Sequence, residues 1–325
     1  MRAEVQNWFA RRTYTKTAFS AGELVRAKGD RSVSVVLPAK DEQETVGPIV
    51  AALRRDLIRR TPLIDELVVV DSNSEDDTAR VAADAGAQVY AQRDILPQYG
   101  DIPGKGEALW KSLAVTRGDF VVFVDADLHE FDTSFVVGLL GPLIKHGVHY
   151  VKGCYDRPLR SGETVLPAGG GRVTELVARP LLNMHWPELA GLIQPLAGEY
   201  AATRECLEAL PFVAGYGVEI GHLIDFVEKF GLDSLAQVDL GERRHRNSTD
   251  AALSRMAMQI QHTVHARLGR YRGMDAEPPA TSLTQFVRES ASYRATETEI
   301  VLGERPPMAS VRQPMPRGAR QRATA

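Results

Sequence analysis

The chain has 325 residues, 44% of them hydrophobic and 25% charged, which is the balance of a globular protein long enough for one large domain or two smaller ones; a disordered chain is not expected. A formal net charge of -3 gives no field that would gather a nucleic acid, so no nucleic-acid partner is expected and any anionic ligand has to be held by local basic groups. Cys154 and Cys206 stand far apart without a CxxC pair, which argues against a disulfide framework and a zinc ribbon; both are expected to be reduced and buried. Met1-Arg2-Ala3-Glu4 lacks the basic-then-apolar pattern of a signal peptide, and no apolar run approaches the roughly 20 residues that span a bilayer, so a cytoplasmic protein with no membrane partner is expected.

Residues 1 to about 30 mix aromatics with Arg and Lys (Trp8, Phe9, Arg11, Arg12, Tyr14, Lys16), the pattern of an N-terminal surface arm with a short helix. The first strong element is the apolar run Val33 to Leu37, closed by Pro38 and followed by the polar turn Ala39-Lys40-Asp41-Glu42. A helix follows, because Val46, Ile49, Val50, Leu53 and Leu57 recur at helical spacing. The unit repeats as the strand Glu66 to Asp71, the turn that starts at Ser72, and a helix through Ala79, Val81, Ala82 and Ala85 that Gly86 ends. A short strand spans Ala87 to Tyr90, and after a Pro- and Gly-containing loop a helix opens at Lys105 and ends near Gly118.

The strand Phe120 to Val124 then runs out of apolar residues and ends in Asp125-Ala126-Asp127. Alternation puts both carboxylates on one side of an extended backbone, with the small Ala126 between them. Such a pair repels itself unless a divalent cation or a hydrogen-bonding ligand sits there, and hard oxygen ligands suit Mg²⁺ or Mn²⁺. A helix from about Phe135 to Ile144 and a strand from Tyr150 to Tyr155 complete the alternation, which predicts an α/β fold: a Rossmann-like, mostly parallel sheet with helices on both faces. In such sheets ligands bind beyond the carboxyl ends of the strands, and Asp41, Asp71 and Asp125 each stand at or just past one. No GxGxxG follows the first strand and no GK[ST] loop occurs, so a dinucleotide-dependent dehydrogenase and a P-loop NTPase lose their main support; a nucleotide held by carboxylates and a metal remains.

In the second half, Gly169 to Gly171 run into Arg172, Val173, Thr174 and a helix. Exposed backbone N–H groups and the Arg172 fork would make an anion site there. Gly198 to Ala202 look extended, and Gly215-Tyr216-Gly217 precede a helix with Glu219 in its first turn. Leu235 to Leu240 form a strand, and the polar turn Gly241 to Ser248 carries His245, whose neutral imidazole could complete a metal site begun at Asp125 and Asp127. The following helix, with Ser248 as candidate cap, bears Leu253, Met256, Ile260, Val264 and Leu268 on one face, a stripe for a core or for a homodimer. From about Arg305 onward prolines, arginines and small residues dominate, and the tail within 300–325 is expected to be disordered.

Taken in order, Pro38-Ala39-Lys40-Asp41-Glu42, Val70-Asp71-Ser72-Asn73-Ser74, Pro103-Gly104-Lys105-Gly106, the Asp125 to Asp127 motif, Gly169 to Thr174 and His245-Arg246-Asn247 resemble the glucosyl-3-phosphoglycerate synthases of actinobacteria, which are glycosyltransferases of the GT-A type. The resemblance covers roughly residues 20 to 290. It implies a nucleotide-sugar-binding half (31–155), an acceptor-binding half with C-terminal helices (156–290), and retaining transfer of glucose from UDP-glucose to the 2-hydroxyl of 3-phosphoglycerate with a divalent metal. It further implies that Pro38, Ala39, Lys40, Asp41, Glu42, Asp71, Ser72, Lys105, Asp125 and Ala126 hold the nucleotide, with Tyr216 and Glu219 near the sugar. By the same carry-over Asp127 and His245 bind Mg²⁺ or Mn²⁺, Gly171, Arg172, Thr174 and Asn247 bind the acceptor, and Lys105 and Glu219 act in catalysis. Many relatives of this fold have glycine where Asn73 stands, which leaves the donor less fixed. A polyprenyl-phosphate sugar transferase, or a nucleotide-sugar-binding protein without turnover, are the alternative readings.

Overall fold

The computed structural model describes residues 1–156, 159–161, 164–166, 171–242, 249–274, 277–290 and 292–311. Its strands are β1 (Thr13–Thr15), β2 (Val33–Ala39), β3 (Glu66–Asp71), β4 (Gln88–Ala91), β5 (Phe120–Phe123), β6 (Tyr150–Asp156), β7 (Leu159–Ser161), β8 (Thr164–Leu166), β9 (Tyr200–Thr203), β10 (Phe212–Val213), β11 (Leu235–Glu242), β12 (Ser282–Glu289), β13 (Ser292–Glu299) and β14 (Glu304–Arg305). Eight of these form one sheet in the order β1-β11-β6-β9-β5-β2-β3-β4. Alternate residues of each central strand feed two cores: Val35, Leu37, Val122 and Val124 pack on one face with Ile49, Val50, Leu139 and Leu140, and Val36, Val121 and Phe123 on the other with Leu109, Trp110, Leu223 and Ile260. Because both faces are covered, the central strands are mostly apolar rather than alternating.

The predicted strands and helices of residues 33–155 are present. One direction was not legible: β9 runs antiparallel between β5 and β6, while the sheet's other pairings are parallel. The four residues Tyr-Ala-Ala-Thr are buried or nearly so on both sides and carry no mark of chain direction. Cys154 and Cys206 are buried free thiols, as expected.

The first 30 residues are not a surface arm. Helix Ala3–Arg12 buries Val5 and Trp8, and the Trp8 indole N–H donates to the carbonyl of Leu235 at 2.8 Å; β1 then joins the sheet edge beside β11. Ser20 and Glu23 form a reciprocal capping box on helix Ala21–Lys28, and Lys28 is buried against Asp65 at 2.6 Å. Of the basic residues that suggested an arm, Arg11 is exposed while Arg12 and Lys16 are half-buried, and Val5 and Trp8 anchor the helix.

The tail also departs from expectation up to residue 311. β14 pairs with β10, Arg305 is buried against Glu107, and Met308 is fully buried in the second core. Residues 312–325 lie outside the described residues. The stripe on helix Asp250–Arg272 goes to the core, with Ile260 and Val264 packed among buried side chains, and its N-cap is Thr249, whose hydroxyl accepts from the N–H of Ala252; Ser248 lies outside the described residues. No helix among the described residues is long and apolar enough to cross a membrane.

Candidate active site

Strand order reverses at β2, which has β5 on one side and β3 on the other, and the crevice beyond their carboxyl ends receives the Asp125 to Asp127 turn, the loop after β2 and the loop after β3. Asp125 and Asp127 are half-buried and Ala126 is buried between them. Gly198, just before β9, makes room for the first carboxylate: a Cβ there would lie 2.1 Å from Asp125 Oδ2. Lys105 opens helix Lys105–Val115 and reaches across the crevice, its Nζ 2.5 Å from Asp125 Oδ1 and 3.0 Å from Glu219 Oε1. Glu219 is buried in the first turn of helix Val218–Phe230. Burial alone would lower the Lys105 ammonium, but Asp125, Glu219 and Glu199 outweigh it and hold it well above the usual lysine range. The crevice therefore contains a permanent cation flanked by carboxylates.

Beneath this cluster lies a second lysine that sequence reasoning missed. Lys152 on β6 is buried, its Nζ finds no hydrogen-bond partner among the described residues, and it sits 4.7 Å from the centroid of the Tyr200 ring. Burial lowers its ammonium to about 7, opposed by the charges of Glu219 and Glu199. Glu199 is fully buried at the start of β9, and Tyr150 and Tyr200 stack at 5.2 Å above His222, which burial lowers to about 3 and so keeps neutral. The available signal was a lysine in the middle of the otherwise apolar strand Tyr150 to Tyr155, on the same face as Tyr150.

The residues expected to hold the nucleotide converge through the loops after β2 and β3. Pro38 and Ala39 end β2 opposite Val70 and Asp71, while Lys40 and Asp41 are exposed and Glu42 half-buried. Asp41 takes a left-handed φ of 57° and bridges the loops: its N–H donates to Ser74 Oγ at 2.9 Å and its carboxylate accepts from the N–H of Glu75 at 2.8 Å. Asp71 is buried, and its Oδ1 has no partner among the described residues, an acceptor that a ligand N–H or hydroxyl would satisfy. Ser72 donates to the Gln92 side chain at 2.9 Å. Asn73 adopts φ 61°, a conformation that glycine takes freely and asparagine tolerates, so both residue types suit this position sterically.

Of the residues expected to bind the acceptor, Gly171 has φ 80° and Thr174 is buried in the helical turn that follows. Arg172 pairs with Asp250 at the start of helix Asp250–Arg272, so Arg172 and the segment just after residue 248 lie together. Tyr216 is 53% exposed, its backbone N–H donating to Gln259 Oε1 at 2.9 Å, which leaves the ring at the rim. His245 and Asn247 lie outside the described residues. β11, which ends three residues before His245, runs parallel to β6, so its carboxyl end opens on the same edge of the sheet as the crevice. Among the described residues no group of three His, Cys, Asp or Glu side chains could hold a metal. Asp127, a hard oxygen donor at the mouth of the crevice, fits one ligand of a Mg²⁺ or Mn²⁺ site that needs a further ligand from elsewhere.

Residues 34–171 match the model of glycosyl transferase family 2. The chain is 47% identical over 312 residues to the glucosyl-3-phosphoglycerate synthase of Mycolicibacterium paratuberculosis, covering 94% of this chain and 92% of that protein. Its fold is similar to crystal structures of mannosyl-3-phosphoglycerate synthase from Rubrobacter xylanophilus (TM-score 0.88, 42% identity, 96% of this chain and 99% of that one) and of glucosyl-3-phosphoglycerate synthase from Mycobacterium tuberculosis in complex with Mn²⁺, UDP-glucose and phosphoglyceric acid (TM-score 0.79, 44% identity, 90% and 96%). On this likeness over nearly its whole length, the chain belongs to the glucosyl-3-phosphoglycerate synthase family.

Proposed function

We propose that this protein transfers glucose from UDP-glucose to the 2-hydroxyl of 3-phosphoglycerate with retention at the anomeric carbon. The observation that carries the reading is the Lys105 ammonium held between Asp125 and Glu219 at the point where strand order reverses, in a chain of this family. The loops after β2 and β3, with the orphaned Asp71 oxygen, suit the nucleoside, and the glycine loop with Arg172 suits the acceptor's phosphate and carboxylate. Asp127 and His245 are the residues that would hold Mg²⁺ or Mn²⁺, which neutralises charge on the diphosphate when bound. Lys105 opposes the same developing charge from the protein side. Glu219 is engaged by Lys105, which suits holding that ammonium and the sugar in place better than attacking as a free nucleophile. The acceptor hydroxyl then attacks the anomeric carbon from the leaving-group face, the bond to the diphosphate oxygen breaks, and that oxygen takes the hydroxyl proton, so UDP leaves and configuration is kept.

The test is incubation with UDP-glucose, 3-phosphoglycerate and Mg²⁺ or Mn²⁺, followed by UDP release and isolation of a phosphorylated glucoside. No product across several nucleotide sugars with phosphoglycerate would sink the reading. The likeness to a mannosyl-3-phosphoglycerate synthase supports a second reading with a nucleotide-mannose donor, which the same screen separates by relative kcat/KM. Asp127→Ala and His245→Ala are expected to abolish the stimulation of turnover by added metal; a His245→Ala enzyme with unchanged metal affinity would remove that residue from the ligand set. Arg172→Ala should raise the KM for 3-phosphoglycerate by about tenfold or more while leaving UDP binding intact, since a charge-assisted fork is lost only on the acceptor side. An unchanged acceptor KM would refute that role.

A further inference from the structure

A continuous line of polar groups, most of them buried, runs from the C-terminal strand to the loop that follows Asp71. Arg305 donates Nε to Glu107 Oε2 at 2.7 Å and one terminal nitrogen to Glu107 Oε1 at 2.8 Å, and its other terminal nitrogen donates to the Tyr99 carbonyl at 2.8 Å. Glu107 Oε1 lies 3.4 Å from the fully buried Lys111 Nζ, which donates to the carbonyls of Gln92 and Gly100 and to Asp101 Oδ1 at 3.2 Å. Asp101 Oδ1 also accepts from the Gln92 side chain at 2.7 Å, and its Oδ2 accepts from Asn73 Nδ2 at 2.9 Å; Gln92 Oε1 accepts from Ser72. Charges alternate along the line as Arg305, Glu107, Lys111 and Asp101, so each cation has an anion on the side toward the loop.

The backbone reinforces the same connection. β14 pairs with β10, the N–H of Ala214 donates to the Gly303 carbonyl at 2.8 Å, and the N–H of Glu107 donates to the Ala214 carbonyl at 3.1 Å. A Cβ on Gly106 would lie 1.8 Å from the Val213 carbonyl, so glycine alone allows this approach one residue after Lys105. The C-terminal strand thus touches the start of the Lys105 helix and the segment leading to Tyr216, and at the other end of the line Asp101 accepts from the side chain of the left-handed Asn73.

We propose that Arg305 is a positioning residue for the donor nucleotide: through the buried line it sets the placement of Ser72 and Asn73, so the C-terminal strand governs donor affinity. This rests on the nucleotide-sugar reading of the crevice. Removing Arg305 leaves Glu107 short of its closest cation in the interior, and the strain is relieved most easily at the loop end of the line, where Asn73 is exposed.

The experiment compares Arg305→Gln, Asp101→Asn and Asn73→Ala, each alone and the first combined with the third. It measures UDP binding by calorimetry and KM separately for UDP-glucose and 3-phosphoglycerate. Arg305→Gln and Asp101→Asn are expected to weaken UDP binding and raise the donor KM by about fivefold or more, with the acceptor KM within about twofold. The double variant should weaken UDP binding by less than the product of the single effects, because both interrupt one line. Folded variants with wild-type UDP affinity, equal rises in both KM values, or multiplicative effects in the double variant would each overturn the proposal. If Arg305→Gln does not fold, Asp101→Asn at the far end decides the matter by the same readouts. Wild-type protein that binds no UDP would refute the nucleotide-sugar reading itself, a result distinct from failure of the positioning role.

Discussion

Lys105→Met is expected to lower kcat by about 10²- to 10³-fold, the loss that follows removal of one preorganised charge aimed at a developing anion. The side chain is only 19% exposed, and its position between Asp125 and Glu219 leaves little room for a water molecule to take over the ammonium's duty. Methionine matches the length of the lysine stem, so the change removes charge more than volume. It also leaves Asp125 and Glu219 without the cation between them, so the variant is expected to be less stable than the wild type. Steady-state kinetics with saturating donor and acceptor, together with urea unfolding of variant and wild type at one pH, checks both halves. A variant with kcat within about tenfold of wild type would show that Lys105 orders the crevice without acting on the leaving group.

The sheet and the convergence of its acidic strand ends were legible in the sequence because each βα unit repeats the same grammar: an apolar run buried on both faces, a polar strand end, then a helical stripe. Asp41, Asp71 and Asp125 mark three strand ends, and topology alone brings strand ends together. What stayed hidden depends on contacts remote in sequence. Arg305 looks like part of a tail rich in proline and arginine, and its buried carboxylate partner, Glu107, stands 198 residues away. Trp8 and Tyr14 suggested a surface arm until the Leu235 carbonyl and β11 supplied their places. The placement of Glu219 was only half visible: its first-turn position suits the helix dipole, but its pairing with Lys105 appears when two helices remote in sequence meet at one crevice.

Lys152→Met is expected to stabilise the protein and to slow it, with kcat lowered about tenfold. The Lys152 amine falls to about 7 in the folded chain from an ordinary 10.5. Between those values the unfolded chain binds more protons than the folded one, so the wild type gains stability as pH rises from about 7 to 10.5 and bears the full cost of the buried ammonium below that window. The gain from methionine should accordingly be larger at pH 6 than at pH 9, on the order of 2 kcal/mol more. The loss of turnover follows from charge: Glu219, Glu199 and Asp125 all act on this ammonium, and removing it leaves Lys105 to balance them alone. Lys105 would then be held more tightly to its own carboxylates and released less readily toward the departing diphosphate. Denaturant unfolding at the two pH values and kcat at saturating substrates measure the two effects on the same variant. A Lys152→Met protein that is less stable at pH 6, or more stable with undiminished kcat, would separate this lysine from the work of the crevice above it.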